Sequence, residues 1–359
     1  MTYTRKFVCL ALVAAVFGIR ATSVLGQDQS YKADVVGATE EPQKAIKSIR
    51  SLPGFKVDLF AAEPMLANPV AFHIDEKGKF YVVETFRLHA GVTDARNHMY
   101  WLDDDLKSQT IADRLAMYKK HLSAKDYASY GKDHDRIRLI EDRDGDGKAD
   151  HATVFADGFN ATEDGLGAGV LARKGTVYFT CIPDLWMLRD TNGDGKADEK
   201  TSLHKGYGVH VGFLGHDLHG LIFGPDGKLY FSIGDRGFNV KTLDGKELAV
   251  LDCGSVLRCD PDGNNLEVFA TGLRNPQELA FTETGDLFTV DNNSDGGDKA
   301  RLVHVIEGGD SGWRIGYQFI ESPNSRGIWN SEKMWHPAWD GQAAYIVPPS
   351  RISPTDPRA

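Results

Sequence analysis

AFHIDEKGKFYVVET (71–85), GVLARKGTVYFTCIP (169–183), GLIFGPDGKLYFSIGD (220–235) and ELAFTETGDLFTVDN (278–292) repeat one grammar: apolar residues, a polar turn ending in glycine, then an alternating aromatic strand. Aligned on the turn, Gly78, Gly175, Gly227 and Gly285 are equivalent, at spacings of 97, 52 and 58 residues. Repeats of about 40–50 residues match the four-stranded blade of a β-propeller. A second unit interleaves with the first. RIRLIEDRDGDGKADHATVFADG (136–158), LWMLRDTNGDGKADEKTSLHKG (185–206) and SVLRCDPDGNNLEVFATG (255–272) each read as strand, Asp/Gly turn, strand. Alternating hairpins that bury their faces on their neighbours are what a propeller requires. A two-sheet sandwich also has short, evenly spaced strands, but it does not account for two motifs alternating in phase at blade length. The fold class is therefore all-β, a β-propeller.

The interval of 97 residues equals two blades, or one blade with an insertion. Ile111, Leu115, Tyr118 and Leu122 recur at helical spacing, and Ser123 stands three before Asp126 as a helix-start signal. Residues 103–131 are expected to be a mostly helical insertion. Counting strands over 51–348 gives four blades and part of a fifth, begun by RLVHVIEGGDSGW (301–313). A closed ring normally has about six, so the ring is expected to be incomplete in this chain. The tail 349–359 is proline-rich and has no strand pattern.

Glycine supplies 38 of 359 residues, above the norm of roughly 7%, and no G-X-Y period accompanies it, so the excess belongs to turns. Lys plus Arg number 41 against 51 Asp plus Glu, a net charge of −10. With no basic stripe to neutralise phosphates, a nucleic-acid partner is excluded. Arg5 and Lys6 precede an apolar run over 7–19, and small residues follow up to Gly26. This is the pattern of a secretory signal over 1–26, followed by a linker over 27–50. The run is shorter than the ~20 residues of a membrane span, and no transmembrane segment is expected beyond it. The protein is expected to be exported, to the periplasm or cell surface. Export permits disulfides, but Cys253 and Cys259 on one strand would lie about 20 Å apart, too far to bridge. With Cys181 they are read as buried free thiols. There is no C-x-x-C-H segment, which excludes covalent haem in this chain.

Three constellations could carry chemistry. Asp142, Asp144, Asp146, Gly147 and Asp150 stand at positions 1, 3, 5, 6 and 9 of a calcium-loop pattern, and Asp190, Asn192, Asp194, Gly195 and Asp198 repeat it one blade later. Carboxylates at alternate positions can wrap a hard cation around a glycine turn. The bidentate Glu expected at position 12 is replaced by Thr153 and Thr201, and Asp-Gly turns also simply close hairpins. The run GYGVHVGFLGHDLHGLIFGPDG (206–227) holds His210, His216, Asp217 and His219, with His204 just before. Such density could ligate a transition metal, as in a metal hydrolase using His210, His216, His219 and Asp217. A single neutral histidine acting as general base is an equal alternative. In GLRNPQELAF (272–281), Arg274 offers a planar fork for oxygen atoms and Asn275 adds a donor and an acceptor.

HDLHGLIFGPDGKLYFSIGDRG (216–237), followed by GLRNPQ (272–277), resembles the soluble glucose/sorbosone dehydrogenase type of six-bladed propeller, whose members bind pyrroloquinoline quinone (PQQ) and calcium. The run from LPGFKVDLFAAEP (52–64) to EGGDSGWRIGYQ (307–318) resembles more closely a family of membrane-bound dehydrogenase domains, exported propeller modules related to those enzymes. The resemblance implies that His216 is the base that takes the proton of a sugar hydroxyl while hydride passes to PQQ. It implies that Arg274 and Asn275 contact the quinone, with Arg274 polarising its reacting carbonyl and Gln277 in support. DNNSDGGDKARL (291–302) is similar to the loop whose backbone carbonyls hold the active-site calcium, which implies Asn293 and Ser294. Gly215 stands where those enzymes carry an acidic residue, and Asn293-Ser294 replaces their Gly-Pro pair.

Two function classes follow. One is a quinoprotein-type oxidoreductase that oxidises an aldose or related sugar and hands electrons to a cytochrome. The other is a non-catalytic, calcium-stabilised propeller that binds glycans or proteins.

Overall fold

The computed structural model describes residues 31–295 and 300–320. The expected signal sequence and tail, and residues 321–348 of the expected propeller, lie outside the described residues.

Three four-stranded antiparallel sheets and one of three strands follow one another along the chain. A short helix, α1 (Glu41–Ser48), precedes the first. That sheet is β1 (Pro69–Ile74), β2 (Phe80–Glu84), β3 (Asp135–Glu141) and β4 (His151–Phe159), paired in sequence order. The second is β5 (Gly167–Arg173), β6 (Thr176–Cys181), β7 (Asp184–Arg189) and β8 (Glu199–Lys205). The third joins β9 (Leu218–Phe223) and β10 (Leu229–Ile233) to β13 (Gly254–Cys259) and β14 (Glu267–Leu273), and the hairpin of β11 (Phe238–Lys241) and β12 (Glu247–Val250) interrupts it. The fourth is β15 (Leu279–Phe281), β16 (Leu287–Asp291) and β17 (Arg301–Val305). Arg301–Val305, expected to open a fifth blade, is thus the third strand of the fourth. Alternation alone does not distinguish a first strand from a third; the pairing of Asp291 with Arg301 and Leu287 with Val305 decides it.

The four repeated glycines close the first turn of each sheet with φ between +77° and +89°, a region in which a Cβ is disfavoured. Alternate residues of a strand then serve two neighbours. On β6, Val177, Phe179 and Cys181 join a core with Tyr81, Val83, Ile137 and Phe155 of the first sheet. Tyr178 points the other way, into a core with Leu229, Phe231 and Leu257 of the third. On β10, Tyr230 faces Leu279, Leu287 and Val303 of the fourth sheet. The second and third sheets are buried between their neighbours and the first and fourth each pack on one, which makes the arrangement a β-propeller of four blades among the described residues. The outward face of the first blade carries exposed Val70, Phe72 and Ile74 on alternate positions of β1, and that of the fourth carries exposed Val290 and Leu302.

The Asp/Gly turns fasten one blade to the next. Ala197 N donates to Phe155 O at 2.8 Å, and Thr153 Oγ1 donates to Gly195 O at 3.2 Å. Ala149 N repeats the first contact on Phe60 O, also at 2.8 Å.

Helices fill the interval between β2 and β3: a 3₁₀ segment (Ala95–Trp101), α2 (Leu102–Lys107), α3 (Ile111–His121) and α4 (Ala124–Ser129). Thr110 and Asp113 form a reciprocal capping box on α3, and Ser123 Oγ accepts from Asp126 N on α4. The insertion packs Trp101, Met117 and Tyr118 against Val211 and Phe213. Asp105 on α2 completes the clamp, its Oδ1 accepting from Val211 N at 2.8 Å. The helices therefore sit on the glycine- and histidine-rich loop that carries the candidate site. No helix among the described residues is long and apolar enough to cross a membrane.

Candidate active site

His216 stands two residues before β9 and Asp235 two residues after β10. The register Leu218↔Ile233 brings them together. His216 Nδ1 donates to Asp235 Oδ1 at 2.7 Å, and Trp313 Nε1 donates to Asp235 Oδ2 at 2.8 Å. All three side chains are buried. Burial works against the charge of Asp235, but the His216 ring, the Arg274 guanidinium and the Trp313 indole outweigh it and hold its carboxyl below the ordinary range. A fixed carboxylate on Nδ1 sets the tautomer that leaves Nε2 as acceptor, and no hydrogen bond to Nε2 forms among the described residues. Orientation by a carboxylate and a free Nε2 are the requirements of a general base.

Arg274 and Asn275 lie between β14 and β15. Asp291 on β16 accepts both backbone amides, Asn275 N at 2.8 Å and Arg274 N at 3.1 Å. The Arg274 guanidinium is buried, 5.6 Å from the ring centres of Phe213 and of Trp313. Its Nε donates to Gln318 Oε1 at 2.8 Å, its Nη2 to Asp295 Oδ2 at 2.9 Å and its Nη1 to Asn293 O. Asn275 is buried, and its Oδ1 has no hydrogen-bond partner among the described residues. Phe213 lies beside the pair, 5.8 Å from the His216 ring, and joins them to a surface cleft of about 400 Å³.

The structure brings His216, Arg274 and Asn275 into one neighbourhood. Gln277 is exposed on the surface and stays out of it. The Asn293 carbonyl, expected to hold calcium, accepts the Arg274 guanidinium, and Gln318 Nε2 donates to Ser294 O at 3.5 Å. A cation on a carbonyl that already faces a guanidinium is disfavoured by charge, so Asn293 and Ser294 as placed do not fit calcium. A quinone fits better: the uncommitted Nε2 of His216 and the orphaned buried amide of Asn275 are groups a polar ligand would satisfy.

Among the described residues the histidine run forms no metal centre. His210 directs its ring nitrogens at the carbonyls of Asp105 and Leu251, each at 2.7 Å, and His219 Nε2 faces Gly215 O at 3.0 Å. His204 Nε2 lies 2.7 Å from Gly263 O, and Asp217 is paired with Arg236. His204 and His210 face carbonyls of distant segments and His219 one in the loop leading into its own strand, contacts that the sequence spacing could not distinguish from ligation. Among the described residues, metal-ligating side chains converge only at Asp142, Asp144 and Asp146, in the turn between β3 and β4. Asp142 accepts Gly145 N at 2.7 Å and Gly147 N at 2.9 Å. Asp190 does the same for Gly193 and Gly195 at 2.7 and 2.8 Å, while Asp150 and Asp198 accept the amides of Arg143 and Thr191. Asn192 and Asp194 accept the amides of Asp194 and Lys196 at 2.9 Å. The same wiring closes the hairpin in both turns, and among the described residues only the first also brings three carboxylates together.

Sequence reasoning missed Asp235 and Trp313. Asp235 stands inside the quoted FSIGDRG stretch, where only pairing across the hairpin identifies it as the partner of His216. Trp313 has no signal in its spacing.

Cys181, Cys253 and Cys259 are buried free thiols.

Over 124 residues the chain is 30% identical to quinoprotein glucose dehydrogenase B of Acinetobacter calcoaceticus, an alignment covering 27% of this chain and 26% of the relative. Among solved structures it is similar to an oxidoreductase (glucose dehydrogenase) from Thermus thermophilus, at 17% identity and a TM-score of 0.42, covering 69% of this chain and 64% of that one. The PQQ-bound aldose sugar dehydrogenase of Streptomyces coelicolor is similar at 18% identity and a TM-score of 0.38, covering 69% and 63%. The chain thus spans about a quarter of the curated relative and under two thirds of either solved chain. The family described as a domain of unknown function, DUF7133, matches residues 41–308, most of the chain, and the chain belongs to that family.

Proposed function

We propose that this chain carries the base-bearing blades of an exported quinoprotein-type oxidoreductase acting on an aldose or related sugar. The observation that carries the reading is the His216–Asp235 pair, buried and oriented, with no hydrogen bond to Nε2 among the described residues. His216 takes the proton of the sugar hydroxyl at Nε2. Asp235 stabilises the imidazolium that forms, and Trp313 keeps the carboxylate from turning away. When bound, PQQ would supply a two-electron acceptor for the hydride from the carbinol carbon, so that the alcohol becomes a carbonyl. Asn275 and the Arg274 loop would hold that acceptor. The reduced cofactor would pass its electrons to a cytochrome partner. Calcium would sit at Asp142, Asp144 and Asp146, away from the chemistry, and reinforce the first blade. The similarity to quinoprotein glucose dehydrogenase B supports this lineage.

Titration of the full chain with PQQ in excess calcium, followed by a sugar screen with an artificial electron acceptor, tests the proposal. It predicts binding that survives His216→Ala and turnover that does not. A folded chain that binds no PQQ overturns it and favours a non-catalytic propeller that binds glycans or proteins. One observation favours that second reading: every nitrogen of Arg274 is already engaged within the protein.

A further inference from the structure

The cleft beside Phe213 is walled on one side by the helical insertion, through Arg96 and Met99, and on the other by Asp295, Gln318 and Phe319. Arg274, the arginine that sequence spacing singles out, does not reach it with a free donor. Arg96 does. Its guanidinium lies 4.3 Å from the centre of the Phe213 ring, and its side chain is 58% exposed. Asp94 holds one edge of the fork, with Nε donating to Oδ1 at 2.9 Å and Nη2 to Oδ2 at 2.7 Å. Asp94 is itself fixed by the amides of Arg96 at 2.8 Å and Leu214 at 3.1 Å. Nη1 donates to nothing among the described residues. The end of the guanidinium, Nη1 with the second Nη2 hydrogen, is therefore a pre-aimed two-donor fork on an aromatic floor. That is the geometry that receives a carboxylate. Asp295 at the opposite wall is tied to Arg274 at 2.9 Å, which leaves Arg96 as the cleft's guanidinium with a donor to spare.

We propose that Arg96, contributed by the helical insertion, binds a carboxylate of the ligand that occupies this cleft. The carboxylate could belong to the quinone cofactor or to an acidic sugar. The first source rests on the function proposed above and the second does not.

Calorimetric titrations of the full chain and of Arg96→Gln with PQQ, and separately with glucuronate against glucose, test the assignment, with a thermal melt on each sample. For the cofactor source, Arg96→Gln should weaken PQQ binding about tenfold or more while the protein still melts cooperatively, its Tm lowered no further than by Asp94→Asn. Arg96→Lys, which keeps charge but loses the fork, should fall between. If PQQ does not bind but glucuronate binds in preference to glucose and Arg96→Gln abolishes the preference, the assignment stands and the cofactor reading fails. PQQ binding that is indifferent to Arg96→Gln overturns the assignment and leaves the quinoprotein reading intact. Binding of neither ligand by the folded wild type overturns both.

Discussion

His216 and Asp235 meet at 2.7 Å across the open end of the β9–β10 hairpin, with the Trp313 indole locking the far oxygen of the carboxylate. Asp235→Asn keeps the shape but substitutes a neutral amide that can present its NH₂ to Nδ1 and so favour the wrong tautomer. Turnover with PQQ and sugar should fall by about 10²–10⁴, while PQQ affinity stays within about twofold. Steady-state kinetics beside a cofactor titration would check this, and parallel losses in both would show that Asp235 serves folding rather than proton transfer.

Gly272 opens the GLRNPQ segment with φ +76°, and an added Cβ would lie 1.9 Å from Asp310 Oδ1 and 2.5 Å from Gly312 N. Gly272→Ala should cost about 2–4 kcal/mol, combining left-handed strain with a clash against the backbone. Gly285→Ala has a similar φ of +89° but meets only Pro225 Cγ at 3.7 Å. It should cost about 1 kcal/mol. Chemical denaturation of the two variants measures the difference directly, and equal costs would refute the close approach.

Asp94 is opposed by burial, but its bonds from Arg96 and from backbone amides bring its carboxyl down to about 2. A carboxyl depressed in the folded state contributes stability that is complete above its unfolded value, about 4, and is lost as pH falls toward 2. The Tm gap between wild type and Asp94→Asn should be widest above about pH 5 and close on acidification through that window. A gap that is constant from pH 6 to 2 would contradict the charge-based account.

Burial pushes the thiols of Cys253 and Cys259 up to about 12, and that of Cys181 well above its usual value. The thiolate is the reactive form, so native protein should leave all three unmodified by a thiol-directed reagent at pH 8 for hours. They should react within minutes in denaturant. Rapid labelling of any of them in native protein, mapped by peptide mass, would show that its blade opens.

The propeller was legible because its determinants are local and repeated. Gly78, Gly175, Gly227 and Gly285 mark the same turn in four blades, and the alternation on β6 and β10 states both buried faces. The helical insertion was legible through Ser123 and Asp126, a capping pair three apart. Relations across the chain were not legible. Asp235 becomes the partner of His216 only through strand register, and Arg96 comes to Phe213 only because the insertion folds back by more than a hundred residues. Residue type also misled. His210 and His219 look like ligands in the sequence, yet His210 faces the carbonyls of two distant segments and His219 faces one just before its own strand. The reading of Arg301–Val305 as a new blade failed for a related reason, since the hydrogen bonds that assign a strand to a sheet leave no trace in alternation.

His216 and Asp235 flank a single hairpin, so hydrogen bonds inside one sheet set their spacing. Arg274 and Trp313 reach them from other segments, and Arg96 from the insertion. Small rotations of one blade against the next would therefore alter what the site grips before they alter its ability to move a proton. Ligand selectivity and proton-transfer competence are then separable properties. Substitutions that loosen blade-to-blade contact, or that remodel the insertion, can retune the first over many variants while the second is inherited intact.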